Sequence, residues 1–549
     1  MLGGICIKRN VVIFTKRMDC TAQRLTYQQT GTFSKIVLDY LNDSPQLRSF
    51  YSHRPDLDGI RNAIAERKNF STNRKVLVDQ LQKQYSKVDA SEAVKKNIAL
   101  LLQENTFTIT TAHQPNLFTG PLYFIYKILH VIKLANELKQ QLPEHNFVPV
   151  YYVGSEDADF EELSYCNING VKYQWATQQN GAFGRMLIDK HITKLIDDIS
   201  GQLLVQPHGK EIVDALRNCY KEKTSIQDAT FAFVHFLFAE YGLLVLIADA
   251  KELKQEMIPV FEDELMNRSS SKQIELTTVQ LEQHYKVQAG GRDINLFYFD
   301  EDLRERVEAN GDGYTVANST IKFSKDEMLQ ELKAHPERFS PNVILRGLYQ
   351  ETILPNIAFI GGGGELAYWL ELKAVFEHYK VPFPVLVLRN SFLIVEQQWN
   401  EKINKLGFSM ADLFLPETEL LNRLVKRETN NKVQLNGSYA KAEQLYETLK
   451  EQAAAIDTTL LQHVDALKTK TLYRLQELEK KLLRAEKRKF AEQQYQIQQI
   501  KQNLFHGNSL QERNESFLSF YAKWGKEIIA ELYKHSPALE QEFVVLSEP

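Results

Sequence analysis

His113 and Gln114 follow directly on a short β-branched and aromatic run, Phe107 to Ala112, and precede Thr119-Gly120-Pro121, where helical apolar spacing begins. A histidine at such a strand exit can donate to a phosphate or to charge developing on a transferring group, with its protonation adjustable near neutrality. The bland alternative is a loop histidine that caps a neighbour. The coincidence of strand end, Gly-Pro opening and polar loop favours a functional role. Thr119 is expected to cap the helix, since Pro121 is tolerated in a first turn. The free N–H groups around Thr119 and Gly120 would then face a phosphate.

Glu156, Asp157 and Asp159 follow a second apolar run, Phe147 to Val153. Clustered carboxylates there suit an amine, a sugar hydroxyl or Mg²⁺, and supply a general base if one is pushed up by its neighbours. Their plainer role is to cap and charge the next helix, the role to which Glu161 and Glu162 are assigned. Gly361, Gly362, Gly363 and Gly364, then Glu365, lie between a strand and the helical run AYWLELKAVF. This is not G-x-G-x-x-G, but a glycine turn lets a ligand approach the backbone, and Glu365 suits a ribose. Tyr368 and Trp369 would flank a base or pack in the core. Arg389 and Ser391 close a last strand where a cation and a hydroxyl would meet phosphates.

The elements that must position these residues are strands alternating with helices. Phe107–Ala112, Phe147–Val153, Gly242–Ala248, Ile357–Ile360 and Phe383–Leu388 are nearly continuous apolar runs, the pattern of a parallel sheet covered on both faces. Ligands of such sheets sit at the carboxyl ends of the strands. The reading is thus an α/β chain with a Rossmann-like parallel-sheet core over 106–400. It carries insertions at about 167–197 and 262–340, a helical lead-in without a strand over 18–105, and a tail over 1–17, with Met18 a candidate start. From 401 to 549 the character is helical. Between Gly437 and Gly507 no other glycine or proline interrupts, and Ile456, Leu460, Val464, Leu467, Thr471, Leu475, Leu478, Leu482 and Ala485 recur at steps of 3 and 4, heptad spacing that predicts one long coiled-coil helix. Such a seam closes either between copies or against another helix of the same chain.

Length and composition set the outer limits. The chain has 549 residues, a net charge of -4 and four cysteines with no C-x-x-C pair. This gives no general basic footprint for nucleic acid, no disulfide framework and no zinc knuckle, and it fits a reducing, cytoplasmic setting. No apolar run is long enough for a membrane span. A nicotinamide-dependent dehydrogenase is weakened by the lack of G-x-G-x-x-G after the first strand. A non-catalytic nucleotide-binding scaffold, dimerising through its coiled coil, is the alternative to an enzyme.

Taken together, HQPNLFTGPLYFIYK, VPVYYVGSEDADFEEL, SPNVILRGLYQETILPNIAFIGGGGELAYWLELKAVF, PVLVLRNS and LFHGNSLQERNESFL closely resemble the cysteine-adding ligase family of bacillithiol biosynthesis. The resemblance runs from about residue 18 to the C-terminus. It implies a core related to class I aminoacyl-tRNA synthetases, connecting-peptide insertions and a coiled coil that mediates homodimer formation. It also implies that cysteine is joined to the amine of glucosaminyl-malate through ATP, with Mg²⁺, and a cysteinyl adenylate. His113 to Gly120 would then stand at the His-Ile-Gly-His position and Arg389 to Ser391 near the Lys-Met-Ser-Lys-Ser loop, though neither signature is literally present. His113, Glu156 and Asp157 become the candidate catalytic residues. Gln114, Thr119, Gly120, the four glycines, Glu365, Arg389 and Ser391 become the nucleotide contacts, and Asp159, Tyr368 and Trp369 the substrate contacts. No metal is expected on the protein itself.

Overall fold

The computed structural model describes residues 19–429 and 434–548. The expected tail over 1–17 lies outside the described residues. The described residues divide into two compact units, one of residues 19–393 with 511–548 and one of residues 394–429 with 434–510.

The first unit is built on a five-stranded, all-parallel sheet ordered Val385–Leu388, Asn356–Gly361, Thr106–His113, Asn146–Val153, Leu244–Ile247. Its strands are buried almost along their whole length, because helices cover both faces. Phe107, Ile109, Ile357, Ile360, Val385 and Val387 pack against Val131, Leu134 and Leu138 of helix Tyr123–Gln141 and against Ile60 and Ile64 of helix Leu57–Arg67. In sequence order the sheet runs outward from Thr106–His113 in one direction, then jumps to its other side at Asn356–Gly361. Strand order reverses between these two neighbours, so a crevice opens at their carboxyl ends, at His113 and Gly361.

Polar side chains fasten these strands from below. Asn356 Oδ1 accepts from the hydroxyls of Thr108 (3.1 Å) and Thr110 (2.8 Å), and its Nδ2 donates to Glu351 Oε1 (2.8 Å). Glu351 is fully buried and paired with buried Arg67 at 2.8 Å. Burial pushes the Glu351 carboxyl up, and Arg67 pulls it back.

The lead-in is mostly helical, as expected, but it contains a strand. Thr21–Leu25 pairs antiparallel with Phe543–Ser547 near the C-terminus. The run TAQRL has only one buried position, Leu25, so no alternation marked it. The same pairing returns the last residues, from Gln511, to the first unit instead of leaving them with the helical region. The 262–340 insertion holds a five-stranded antiparallel sheet ordered Lys322–Ser324, Gly313–Val316, Leu303–Asn310, Leu296–Asp300, Phe339–Pro341. The shorter insertion holds the hairpin Tyr165–Ile168 with Val171–Gln174 and a 3₁₀ turn at Phe183–Arg185.

In the second unit the expected single long helix is a hairpin of Asn436–Ile456 against Leu461–Lys487. Tyr446 meets Thr471 at 2.6 Å, Lys450 meets Asp465 at 2.7 Å, and Lys468 meets Glu447 at 2.7 Å, an antiparallel register. The helix breaks without glycine or proline because Asp457 leaves helical geometry and its carboxylate accepts from the Thr459 N–H at 2.8 Å, capping the 3₁₀ turn Thr458–Leu460 that leads into the second helix. Among the described residues no helix is long and apolar enough to cross a membrane.

Removing Arg67 leaves a carboxylate buried without its cation beneath the switch point. Arg67→Ala is expected to lower the unfolding free energy by about 3–5 kcal/mol in urea titration. Arg67→Met combined with Glu351→Leu is expected to lose far less, since no uncompensated charge remains.

Candidate functional site

At the crevice a cavity of about 720 Å³ opens, lined from the strand ends by His113, Gln114, Glu156, Asp157 and Asp249 and from the glycine turn by Gly362, Gly363, Gly364 and Glu365. Tyr123, Lys127, Arg346, Tyr368 and Arg389 reach it from the helices and the last strand, and Arg292, Phe297 and Arg304 from the long insertion.

His113 ends its strand with the ring packed edge-on to Tyr123 (5.3 Å) and tilted against Phe124 (5.7 Å). Its Nε2 is buried and has no partner among the described residues. Burial, then the charges of Lys127, Arg389 and Arg346, hold it well below the usual histidine range, so the ring is neutral at physiological pH. Gln114 Nε2 donates to Asp157 Oδ2 at 3.0 Å, and the Ala158 N–H donates to Asp157 Oδ1 at 2.8 Å. One carboxylate thus bridges the loops after two adjacent strands.

Glu156 is differently employed. It is ion-paired with the fully buried Lys254, which also lies 3.5 Å from Asp249. Asp249 takes a bidentate contact from Arg185 at 2.6 and 2.7 Å. Burial lifts the Glu156 carboxyl against the pull of Lys254. For Asp249 burial pushes up, but Lys254 and Arg185 outweigh it and hold its carboxyl low. Glu156 therefore anchors the acidic loop, while Asp157 and Glu162 line the cavity without an ion pair among the described residues.

The glycine turn behaves as a close-approach surface. The Gly362 N–H donates to Glu365 Oε2 at 2.7 Å, and Glu365 is also ion-paired with the buried Lys127, which donates to the Ala112 carbonyl at 3.0 Å. A Cβ on Gly364 would meet nothing within 4 Å, whereas one on Gly361 would strike Phe359 at 2.8 Å. Tyr368 accepts from Arg346 Nη2 at 2.6 Å, and Arg346 Nη1 is buried with no partner. Arg389 is bonded to Glu512 at 2.8 Å and to the Ser391 hydroxyl at 3.0 Å, and its guanidinium lies 5.1 Å from the Tyr123 ring.

Six residues expected at the site line no part of this cavity. Thr119 and Gly120 do not open the helix, which starts at Tyr123. Both have positive φ, 73° and 62°, and Thr119 caps nothing because Pro121 bridges to Ser516 and Leu122 donates to the Glu515 carbonyl. Gly361 is the last strand residue, accepting from the Arg389 N–H at 2.8 Å. Ser391 is fully buried against Arg389 and Glu512. Trp369 is core, stacked on Phe359 at 4.4 Å. Asp159 caps helix Phe160–Leu163 from the surface. Cys166, the thiol nearest the site in sequence, is buried outside the cavity, where burial pushes it up to about 12.

Lys254, Arg304 and Arg346 were not singled out from the sequence, and the sequence leaves Lys127 open between packing and function. Lys127 stands four positions after Tyr123 on one helix face, and Arg346 is a lone charge within the apolar run VILRGLY, signals that spacing could have yielded. Arg304 sits among alternating charges in LRERVE and carried no signal.

A reversed-order parallel sheet with a polar cavity at the switch point defines a Rossmann-like α/β protein. The family descriptions that match are "Bacillithiol biosynthesis BshC, N-terminal Rossmann-like domain" over residues 18–390 and "Bacillithiol biosynthesis BshC, C-terminal coiled-coil domain" over residues 392–548. A protein of Flavobacterium johnsoniae is 41% identical over 95% of this chain and 99% of its own length. One of Flavobacterium psychrophilum is 41% identical over 95% and 98%, and one of Christiangramia forsetii 40% identical over 95% and 98%. Each bears the name "Putative cysteine ligase BshC". The chain belongs to the BshC family.

Because folded His113 resists protonation, the unfolded chain binds more protons below about pH 6.5, and stability falls as pH drops through that value. His113 contributes a fall in the thermal midpoint from pH 7 to pH 5, opposed by Glu371, whose carboxyl burial pushes up to about 7. His113→Asn should remove that contribution and leave the one of His130, which burial pushes down to about 4.

Proposed function

We propose that this chain is a ligase of bacillithiol biosynthesis that joins the carboxylate of cysteine to the amine of glucosaminyl-malate, with ATP and Mg²⁺ supplying the activation. Relatives of nearly the same length are named as cysteine ligases. The observation that carries the reading is one cavity holding both a wall for anions and a carboxylate for an amine. The anion wall comprises His113 Nε2 and Arg346 Nη1, both buried and unpartnered, with the glycine turn beside them. The carboxylate is Asp157, steadied by Gln114.

The reaction balances in two displacements. A carboxylate oxygen of cysteine attacks the α-phosphorus of ATP and pyrophosphate leaves. The acceptor amine then attacks the activated carbonyl carbon, AMP leaves with that oxygen, and the amine proton passes to a base. Arg346 is the cation suited to charge building on the α-phosphate, because its Nη1 has no other partner. Arg389, committed to Glu512, serves that charge at longer range. Neutral His113 acts by hydrogen bonding and not as an acid. Asp157 orients the amine and accepts its proton. Glu156 positions that loop through Lys254. Mg²⁺ would come with the triphosphate, held largely by phosphate oxygens.

Homodimer formation is assigned to the helical hairpin. Leu445, Leu449, Leu467, Leu478 and Leu482 all remain exposed on it. A second copy would cover them. The fold and its reducing-compartment cysteine usage fit a cytoplasmic enzyme.

Cysteine-dependent exchange of labelled pyrophosphate into ATP is the test, and its absence would overturn the activation step. Arg346→Ala should reduce exchange by about 10²–10³-fold. Asp157→Ala should retain exchange yet lose about 10²–10⁴-fold in ligation read by mass. Leu467→Glu with Leu478→Glu should convert a dimer to a monomer in light scattering.

A further inference from the structure

Buried cations in the first unit are almost all matched to a carboxylate. Arg67 has Glu351, Lys127 has Glu365, Lys254 has Glu156 and Asp249, and Arg389 has Glu512. Such matching is what desolvation demands, since an uncompensated charge away from water is strongly unfavourable. Two guanidiniums on the cavity break the pattern. Neither Arg346 nor Arg304 has a carboxylate within salt-bridge distance among the described residues, and each keeps a buried N–H without a partner, Nη1 of Arg346 and Nε of Arg304. Arg346 is accounted for on the side of Tyr368 and the glycine turn.

Arg304 lies elsewhere. It comes from strand Leu303–Asn310 of the long insertion and rests its guanidinium 3.8 Å above the Phe297 ring on the neighbouring strand Leu296–Asp300. Stacking fixes the plane of the guanidinium and leaves its edges for an in-plane acceptor, the geometry of carboxylate recognition. Phe297 and Arg292 line the same wall. Burial holds the Arg304 guanidinium below its usual range, and the carboxylates of Asp157 and then Glu156, which line the same cavity, pull it back.

We infer that Arg304, seated on Phe297, is a specificity-determining residue that binds a carboxylate of the acceptor while Asp157 receives its amine. This rests on the ligase reading above. The acceptor class it selects is an amino sugar carrying a carboxylate-bearing substituent next to the amine, which a malate on the neighbouring ring carbon provides. A neutral aglycone gives Arg304 nothing to bind.

The experiment is calorimetric titration of the full-length protein, wild type, Arg304→Gln and Arg304→Lys, with glucosaminyl-malate and with the methyl glycoside of glucosamine. The wild type should bind glucosaminyl-malate more tightly than the methyl glycoside. Arg304→Gln should weaken glucosaminyl-malate binding by about 10- to 100-fold, the loss of a charge-assisted contact, while changing the methyl glycoside by less than about two-fold. Arg304→Lys, which keeps the charge but not the planar fork, should fall between and preserves the test should the glutamine variant fold poorly. Equal binding of the two glycosides by the wild type, an unaltered affinity in both variants, or equal weakening toward both ligands would overturn the inference. Binding in the predicted pattern by a protein that never ligates cysteine would instead defeat the ligase reading and leave the role of Arg304 standing.

Discussion

One side chain, Asn356, holds together the two strands on which the site depends. Its oxygen gathers the hydroxyls of Thr108 and Thr110 and its nitrogen reaches Glu351, so strands remote in sequence are locked at the point where sheet order reverses. Glu351 is in turn held by Arg67 from the lead-in, which also donates to the carbonyls of Glu351 and Pro382. Because this network is buried, each member is unfavourable without the others, which makes it rigid. The crevice between His113 and Gly361 is the consequence at the other end of the same strands.

Charge is arranged above that frame by the same rule. Lys254 fixes Glu156 and Lys127 fixes Glu365, so the acidic loop and the glycine turn are each pinned by a buried lysine. Glu512, which comes from the C-terminal segment, immobilises Arg389 and Ser391. That segment is itself held to the unit by the pairing of Thr21–Leu25 with Phe543–Ser547. What these pairs leave over, among the described residues, is a short set of groups with unmet hydrogen-bonding capacity on one cavity: His113, Ser155, Arg346 and Arg304.

The sheet was legible because buried parallel strands are written as apolar runs, and the glycine turn and acidic loop because they interrupt those runs. Less was legible where partners lie far apart in sequence. Thr119 and Gly120 look like a helix start, but the bridge from Pro121 to Ser516 delays the helix to Tyr123. Trp369 and Tyr368 are adjacent and chemically alike in sequence, and only the stacking on Phe359 sends one to the core and the other to Arg346. The hairpin tip was hidden because Asp457, not glycine or proline, ends the helix. Lys254 and Arg304 could not be read at all, since their significance lies in which carboxylates they meet or lack.

The central claim is that one cavity activates a carboxylate on the α-phosphate of ATP and then delivers it to an amine. Running the reaction with cysteine labelled with ¹⁸O in both carboxylate oxygens tests it directly, with the products read by mass. The account predicts that the released AMP carries one labelled oxygen. Unlabelled AMP, or label appearing instead in inorganic phosphate, would contradict it.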